Sequence, residues 1–218
     1  MSYQIAIDGP AGAGKSTIAK KVAETKKFIY VDTGAMYRAM AYFMLINKVN
    51  PADASTIEAK CTQADITISY ENGEQVVLLN GENVNAHLRT EEVGNMASVT
   101  SKNPRVRERL TVLQKELAEK NDVVMDGRDI GTCVLPNADV KVYLTASAGV
   151  RAKRRYDELA AKGENCDIAK IEEDIVKRDE QDMNREIAPL KQTEDAVLID
   201  SSCMTVEEVV QAILELCK

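Results

Sequence analysis

Short apolar runs alternate along this chain with longer stretches whose apolar residues recur at helical spacing. Tyr3–Ile7 is a β-like run that leads into a glycine-rich turn, and Lys15–Thr25 then has the period of a helix. Phe28–Val31 is a second apolar run, ended by Asp32-Thr33-Gly34, and Met36–Leu45 reads as a second helix. Val123–Met125, Val140–Leu144 and Val197–Ile199 each read as buried parallel strands, followed sooner or later by helical stretches. Five such strands with helices between them predict an α/β fold, a doubly wound parallel sheet flanked by helices.

Residues 66–84 break this alternation. Ile66-Thr-Ile68, Val76–Leu79 and Asn83-Val84 are separated by Asn72-Gly73 and Asn80-Gly81, both strong signals for tight hairpin turns. A small antiparallel insert is therefore expected on the alternating core, either a plain excursion or a flap over a substrate. Lys162-Gly-Glu-Asn-Cys-Asp167 is the clearest loop and lies between two long charged helices. Asn47-Lys48-Val49-Asn50 lacks the Asp of a guanine-reading segment and reads as a helix end.

Composition narrows the function classes. A chain of 218 residues suits one α/β domain with insertions. With no Trp and only two Phe, its core must rest on Ile, Leu, Val, Met and Ala. The net charge of −7 argues against a nucleic-acid polymer as partner. Several Arg nevertheless cluster in the second half, and a basic pocket in an acidic shell suits a small anion. The five Cys form no C-x-x-C pair and His87 stands alone, which argues against zinc and for reduced thiols. No basic leader precedes the first strand, and no run approaches the ~18–20 apolar residues that cross a bilayer. A soluble cytoplasmic protein is expected, with no membrane partner.

Gly9-Pro10-Ala11-Gly12-Ala13-Gly14-Lys15-Ser16 matches G-x-x-x-x-G-K-[ST] between a strand and a helix, the context the pattern requires. Glycine lets the backbone wrap so that successive N–H groups face an anion, and the next helix adds its positive end. Lys15 is expected on the outer phosphates of a nucleoside triphosphate, Ser16 on Mg2+, and Thr17 beside them.

Asp32-Thr-Gly-Ala-Met-Tyr-Arg38, Asn103-Pro-Arg-Val-Arg107, Asp126-Gly-Arg-Asp-Ile-Gly-Thr132, Lys177-Arg178-Asp179, Asp182-Met-Asn-Arg185 and Ala188-Pro189-Leu190 follow in order. With the loop, they make the chain resemble the bacterial cytidylate kinases over essentially its whole length. Those are P-loop enzymes that phosphorylate CMP and dCMP with ATP.

The resemblance implies a P-loop core of residues 1–34, 101–150 and 168–218. It implies a monophosphate-binding region, 35–100, whose insert spans about 64–86, and a lid at 151–167. It assigns Asp129, Ser98 and Arg107 to the cytosine edge, and Arg38, Arg128 and Arg185 to the acceptor phosphate. Arg178 and Asp182 match ribose contacts, and Thr33 stands where some relatives carry Ser. Arg151, Arg154 and Arg155 have i, i+3, i+4 spacing, so one helical face can present all three. By likeness to monophosphate kinases this face stabilises charge on the transferred phosphoryl group, Arg154 counted with ATP and Arg155 with the catalytic residues. The spacing does not choose which of the three reaches it. Asp200-Ser201-Ser202 approaches the adenine. Arg105 keeps a surface reading. Family likeness also suggests a monomer.

Overall fold

A computed structural model of the protein describes residues 2–71 and 73–217. It divides into two compact units, one of residues 1–30 and 121–218 and the other of residues 31–120.

The first unit is built on the predicted sheet. Its strands are β1 (Gln4–Asp8), β6 (Val123–Gly127), β7 (Val140–Thr145) and β8 (Val197–Asp200) with the first half of β2 (Ile29–Asp32), whose last two residues open the second unit, and the strand order is β2-β6-β1-β7-β8. β1 runs parallel to both β6 and β7, and β7 to β8. Each apolar run became a strand and ended a residue or two beyond it, usually on an acidic residue. Ile5, Ile7, Val124 and Leu144 form a core with Ile18 and Val22 of α1 (Lys15–Lys26) and Ile213 of α8 (Val206–Leu216). Register pairs Ile7 with Asp126 and Asp8 with Gly127, so two carboxylates meet at the carboxyl ends of adjacent strands. That edge is where open α/β sheets bind ligands.

The second unit holds α2 (Thr33–Ile46), α3 (Ala54–Cys61), α4 (Glu91–Thr100) and α5 (Pro104–Lys120). It also carries the insert, an antiparallel sheet of β3 (Ile66–Glu71), β4 (Glu74–Leu79) and β5 (Glu82–Asn83) in sequential order. Asn80 and Gly81 both have left-handed φ, 52° and 85°, as a type I′ hairpin requires. Asn72 of the other expected turn lies outside the described residues. α2 stops at Ile46 and Lys48 turns left-handed, so the Asn47–Asn50 string is a helix end.

Helix starts separate the phosphate loop from the rest. Asp32, Asp53, Thr90, Ser147, Asp167 and Thr205 each cap a helix with a side-chain oxygen. α1 starts instead on Gly14, at φ 88°, without a side-chain cap. Its first N–H groups are thereby left for an anion. α6 (Ala148–Ala161) and α7 (Ile168–Met183) flank the 162–167 loop.

Candidate active site

Between β1 and α1 the loop's glycines are held by geometry. Gly9 has φ 150°, and a Cβ added there would lie 1.9 Å from the Leu144 carbonyl oxygen on β7. No side chain fits. Lys15 is buried and donates to the Pro10 carbonyl at 2.7 Å, folding back along its own loop. Burial, and then the charge of Arg128, lower the Lys15 pKa to about 7, while Asp126, Asp8 and Asp182 pull it back up.

Asp8 and Asp126 frame the loop. The Asp8 carboxylate accepts from the backbone N–H groups of Ile130 and Gly131, at 2.8 and 2.7 Å. It thereby fixes a single π-helical turn, Ile130–Val134, next to Asp129. Burial raises Asp8 to about 6 in spite of those two bonds. Asp126 accepts from the Ser16 hydroxyl at 3.0 Å and from the Tyr30 hydroxyl at 2.8 Å. Neither carboxylate has a role of its own in the sequence, where Asp126 stands only as the first residue of the Asp126–Thr132 motif. The available signal was an apolar strand that ends on Asp immediately before a glycine, which occurs twice.

Arginine–carboxylate pairs surround this edge. Arg128 Nε donates to Asp182 at 2.8 Å, and Arg185 to Asp129 at 3.3 Å as well as to the Ala188 carbonyl. Both pairs span α7 or its end, so the helix sets where these guanidiniums stand. Arg178, on the same helix, is exposed.

The three arginines of α6 go separate ways. Arg151 is buried and committed to structure. It bonds the carbonyls of Ala146 and, in the phosphate loop, Ala11, and pairs with Asp179 at 2.6 Å. Arg154 reaches the Ser201 carbonyl at 2.8 Å and passes 3.9 Å from a Cβ built on Gly14, so it borders the loop. Arg155 pairs with Glu158 at 2.9 Å on the exposed side of the helix. Ser201 donates to Thr145, which brings the 200–202 turn beside the loop as well.

Within the second unit, Thr33 is buried at the start of α2. Asp32 caps that helix through Ala35 N at 2.8 Å and pairs with Arg38 at 3.0 Å. The Arg38 Nε is buried without a hydrogen-bond partner. Arg107 is buried, stands over the Tyr37 ring at 5.5 Å and donates to the Ser101 carbonyl at 3.2 Å. Ser98 is half-buried on α4. Arg105 is exposed and paired with Glu108, in keeping with a surface role.

A family profile described as cytidylate kinase matches residues 5–218. The chain belongs to the cytidylate kinase family. A cytidylate kinase of Caldicellulosiruptor bescii is 51% identical over 212 residues, covering 97% of this chain and 94% of that protein. One from Bacillus subtilis is 47% identical over 211 residues, with the same coverage. Among solved structures, an uncharacterized protein from Eubacterium ventriosum superposes with a TM-score of 0.53 at 13% identity, over 98% of this chain and 97% of that one. That last likeness is one of fold alone. The chain is thus an ATP-dependent phosphotransferase with cytidylate kinase activity. No helix among the described residues is long and apolar enough to cross a membrane.

Proposed function

We propose that the chain transfers the γ-phosphoryl group of ATP to CMP or dCMP, giving ADP and CDP or dCDP. The observation that carries the reading is the loop of Gly9–Ser16, with Lys15, Arg128 and Arg185 at the same strand edge as Asp126 and Asp129. The acceptor phosphate oxygen is already anionic, so no strong base is needed. What the reaction requires is that two polyanions approach each other, and positive charge placed in advance achieves that.

Lys15 takes the outer phosphates of ATP, with the loop N–H groups from Gly9 to Thr17 around them. Ser16 and Asp126 offer a hydroxyl and a carboxylate, hard oxygen donors that suit Mg2+ sharing its shell with phosphate. When bound, the ion neutralises charge on the triphosphate. Arg154 borders the loop and attends ATP, and Arg155, one position on, leaves Glu158 for the transferred group. Arg38, Arg128 and Arg185 hold the CMP phosphate, each exchanging a carboxylate for phosphate oxygens that its planar guanidinium fork can bind two at a time. Arg178 and Asp182 hold the ribose, and Thr33 contacts CMP through its hydroxyl.

Asp129 accepts from the cytosine amino group, while Ser98 and Arg107 read the rest of that edge. Uracil would set its O4 acceptor against the Asp129 carboxylate. Facing acceptors cost on the order of 1–3 kcal/mol, about 5- to 150-fold. A coupled assay across CMP, dCMP, UMP and AMP tests this reading. CMP and dCMP should be turned over far better than the others, and UMP used as efficiently as CMP would sink it. Asp129→Ala should harm CMP use while sparing ATP affinity. The chain is proposed to act as a cytoplasmic monomer.

A further inference from the structure

Gln75, on β4 of the insert, spends its side chain outside its own sheet. Its Oε1 accepts from the Asp32 N–H at 2.8 Å, and its Nε2 donates to the Asp32 carbonyl at 3.2 Å. A primary amide presents an acceptor and a donor side by side, as a peptide group does. Gln75 thus pairs with both backbone groups of one residue, as an adjacent strand would. Because the Asp32 N–H needs an acceptor, the orientation of the amide is fixed. Gln75 is itself anchored, its carbonyl accepting from Asn85 Nδ2 at 2.8 Å while Asn85 Oδ1 accepts from Val77 N at 3.0 Å.

Asp32 is the carboxylate that both caps α2 and pairs with Arg38. A shift of its backbone therefore moves its carboxylate, and with it the guanidinium. Space around that guanidinium is tight, since a Cβ on Gly34 would lie 2.9 Å from the Arg38 Nη1 and 3.2 Å from the Asp32 Oδ1. We propose that Gln75 is a positioning residue for Arg38, through which the three-stranded insert sets the geometry of acceptor-phosphate binding. The proposal rests on the reading of Arg38 as a ligand of that phosphate. It gives the insert a task in addition to any covering one.

Binding of CMP, of cytidine and of ATP to the full-length protein, followed by calorimetry, tests the inference. Two neutral hydrogen bonds are at stake, so Gln75→Ala should weaken CMP about five- to tenfold. Cytidine lacks the phosphate, and its affinity should stay within twofold, as should that of ATP. Gln75→Glu keeps the acceptor for the Asp32 N–H but faces the Asp32 carbonyl with a second acceptor. It should weaken CMP in the same selective way, and it serves if the alanine variant folds poorly. In an Arg38→Ala background the effect of Gln75→Ala should vanish. Equal loss of CMP and cytidine, or a loss that persists without Arg38, would overturn the proposal. Should Arg38→Ala alone leave CMP affinity intact, the phosphate reading of Arg38 fails and the proposal fails with it. That outcome is recognised from the single variant, before Gln75 is touched.

Discussion

The two units hold their candidate ligand groups by different means. In the first, beside side chains such as Lys15, Arg128 and Arg185, the phosphate loop offers backbone: Gly9, Gly12 and Gly14 have φ of 150°, 76° and 88°, and α1 begins without a side-chain cap. In the second, the candidate groups are side chains on regular helices, Arg38 on α2, Ser98 on α4 and Arg107 on α5. A backbone site cannot adjust to a change in its neighbours, because its donors are part of the fold. A side-chain site can adjust, and so needs neighbours such as Asp32 and Tyr37 to hold it still.

Glycine substitutions sharpen the contrast, and the largest effect belongs to Gly9→Ala. The new Cβ would lie 1.9 Å from the Leu144 oxygen, a backbone atom of the central sheet that cannot step aside. Loss of ~3 kcal/mol or more in stability is expected, by overpacking combined with an unfavourable φ, with ATP binding lost as well. Thermal unfolding and ATP titration measure both, and ATP affinity within twofold of the parent would break the claim that the backbone makes this site. Gly34→Ala is the counterpart. Its Cβ meets the far end of the Arg38 side chain, which can yield. Stability should therefore change by less than ~1 kcal/mol, while CMP affinity falls about tenfold, since a displaced guanidinium forfeits a charge-assisted bond worth ~1.5 kcal/mol or more. An equal loss of stability in the two variants would erase the difference between the units.

This difference also explains what could be read from the sequence. A backbone site demands glycine at fixed spacing, so Gly9–Ser16 announced itself, and the apolar runs located all five strands. A side-chain site uses ordinary residues whose partners lie far along the chain. Arg128 and Asp182 are 54 positions apart, and Arg185 and Asp129 are 56. Nothing local marks such a pair, and only the family pattern singled those arginines out. Asp8 and Asp126 were missed because their role comes from parallel register, which sets two strand ends side by side. The α6 arginines share helical spacing, yet a buried Asp179, the Ser201 carbonyl and an exposed Glu158 draw them apart. Nothing in the sequence marks Gln75, just ahead of the Val76–Leu79 run, since its partner is defined only by the way the insert packs.

A proton count probes the buried charge of the first unit. With its pKa lowered from 10.5 to about 7, Lys15 is mostly neutral at pH 8.5. A bound triphosphate favours the ammonium and raises that pKa, so ATP binding should take up a proton in the window between about 7 and 10.5. At pH 6 the amine is already charged and its contribution should disappear. Calorimetry in two buffers of different ionisation enthalpy should show uptake approaching ~1 proton at pH 8.5. Lys15→Arg, charged throughout, should take up none at that site. Identical uptake by both proteins would assign the proton to another group.

The smallest expected effect tests how far position on a helix decides function in the second unit. Arg105 and Arg107 are two residues apart on α5, hence on different faces. Arg105 is exposed and bonded to Glu108, an arrangement worth at most ~1 kcal/mol. Arg107 is buried against Tyr37. Arg105→Ala should leave kcat and the KM for CMP within about twofold of the parent. Arg107→Ala should raise the KM for CMP more than tenfold, since it removes a desolvated donor from the proposed base-reading edge. Equal effects of the two would mean that the second unit senses total charge, and that its side chains are not placed one by one as the first unit's backbone is.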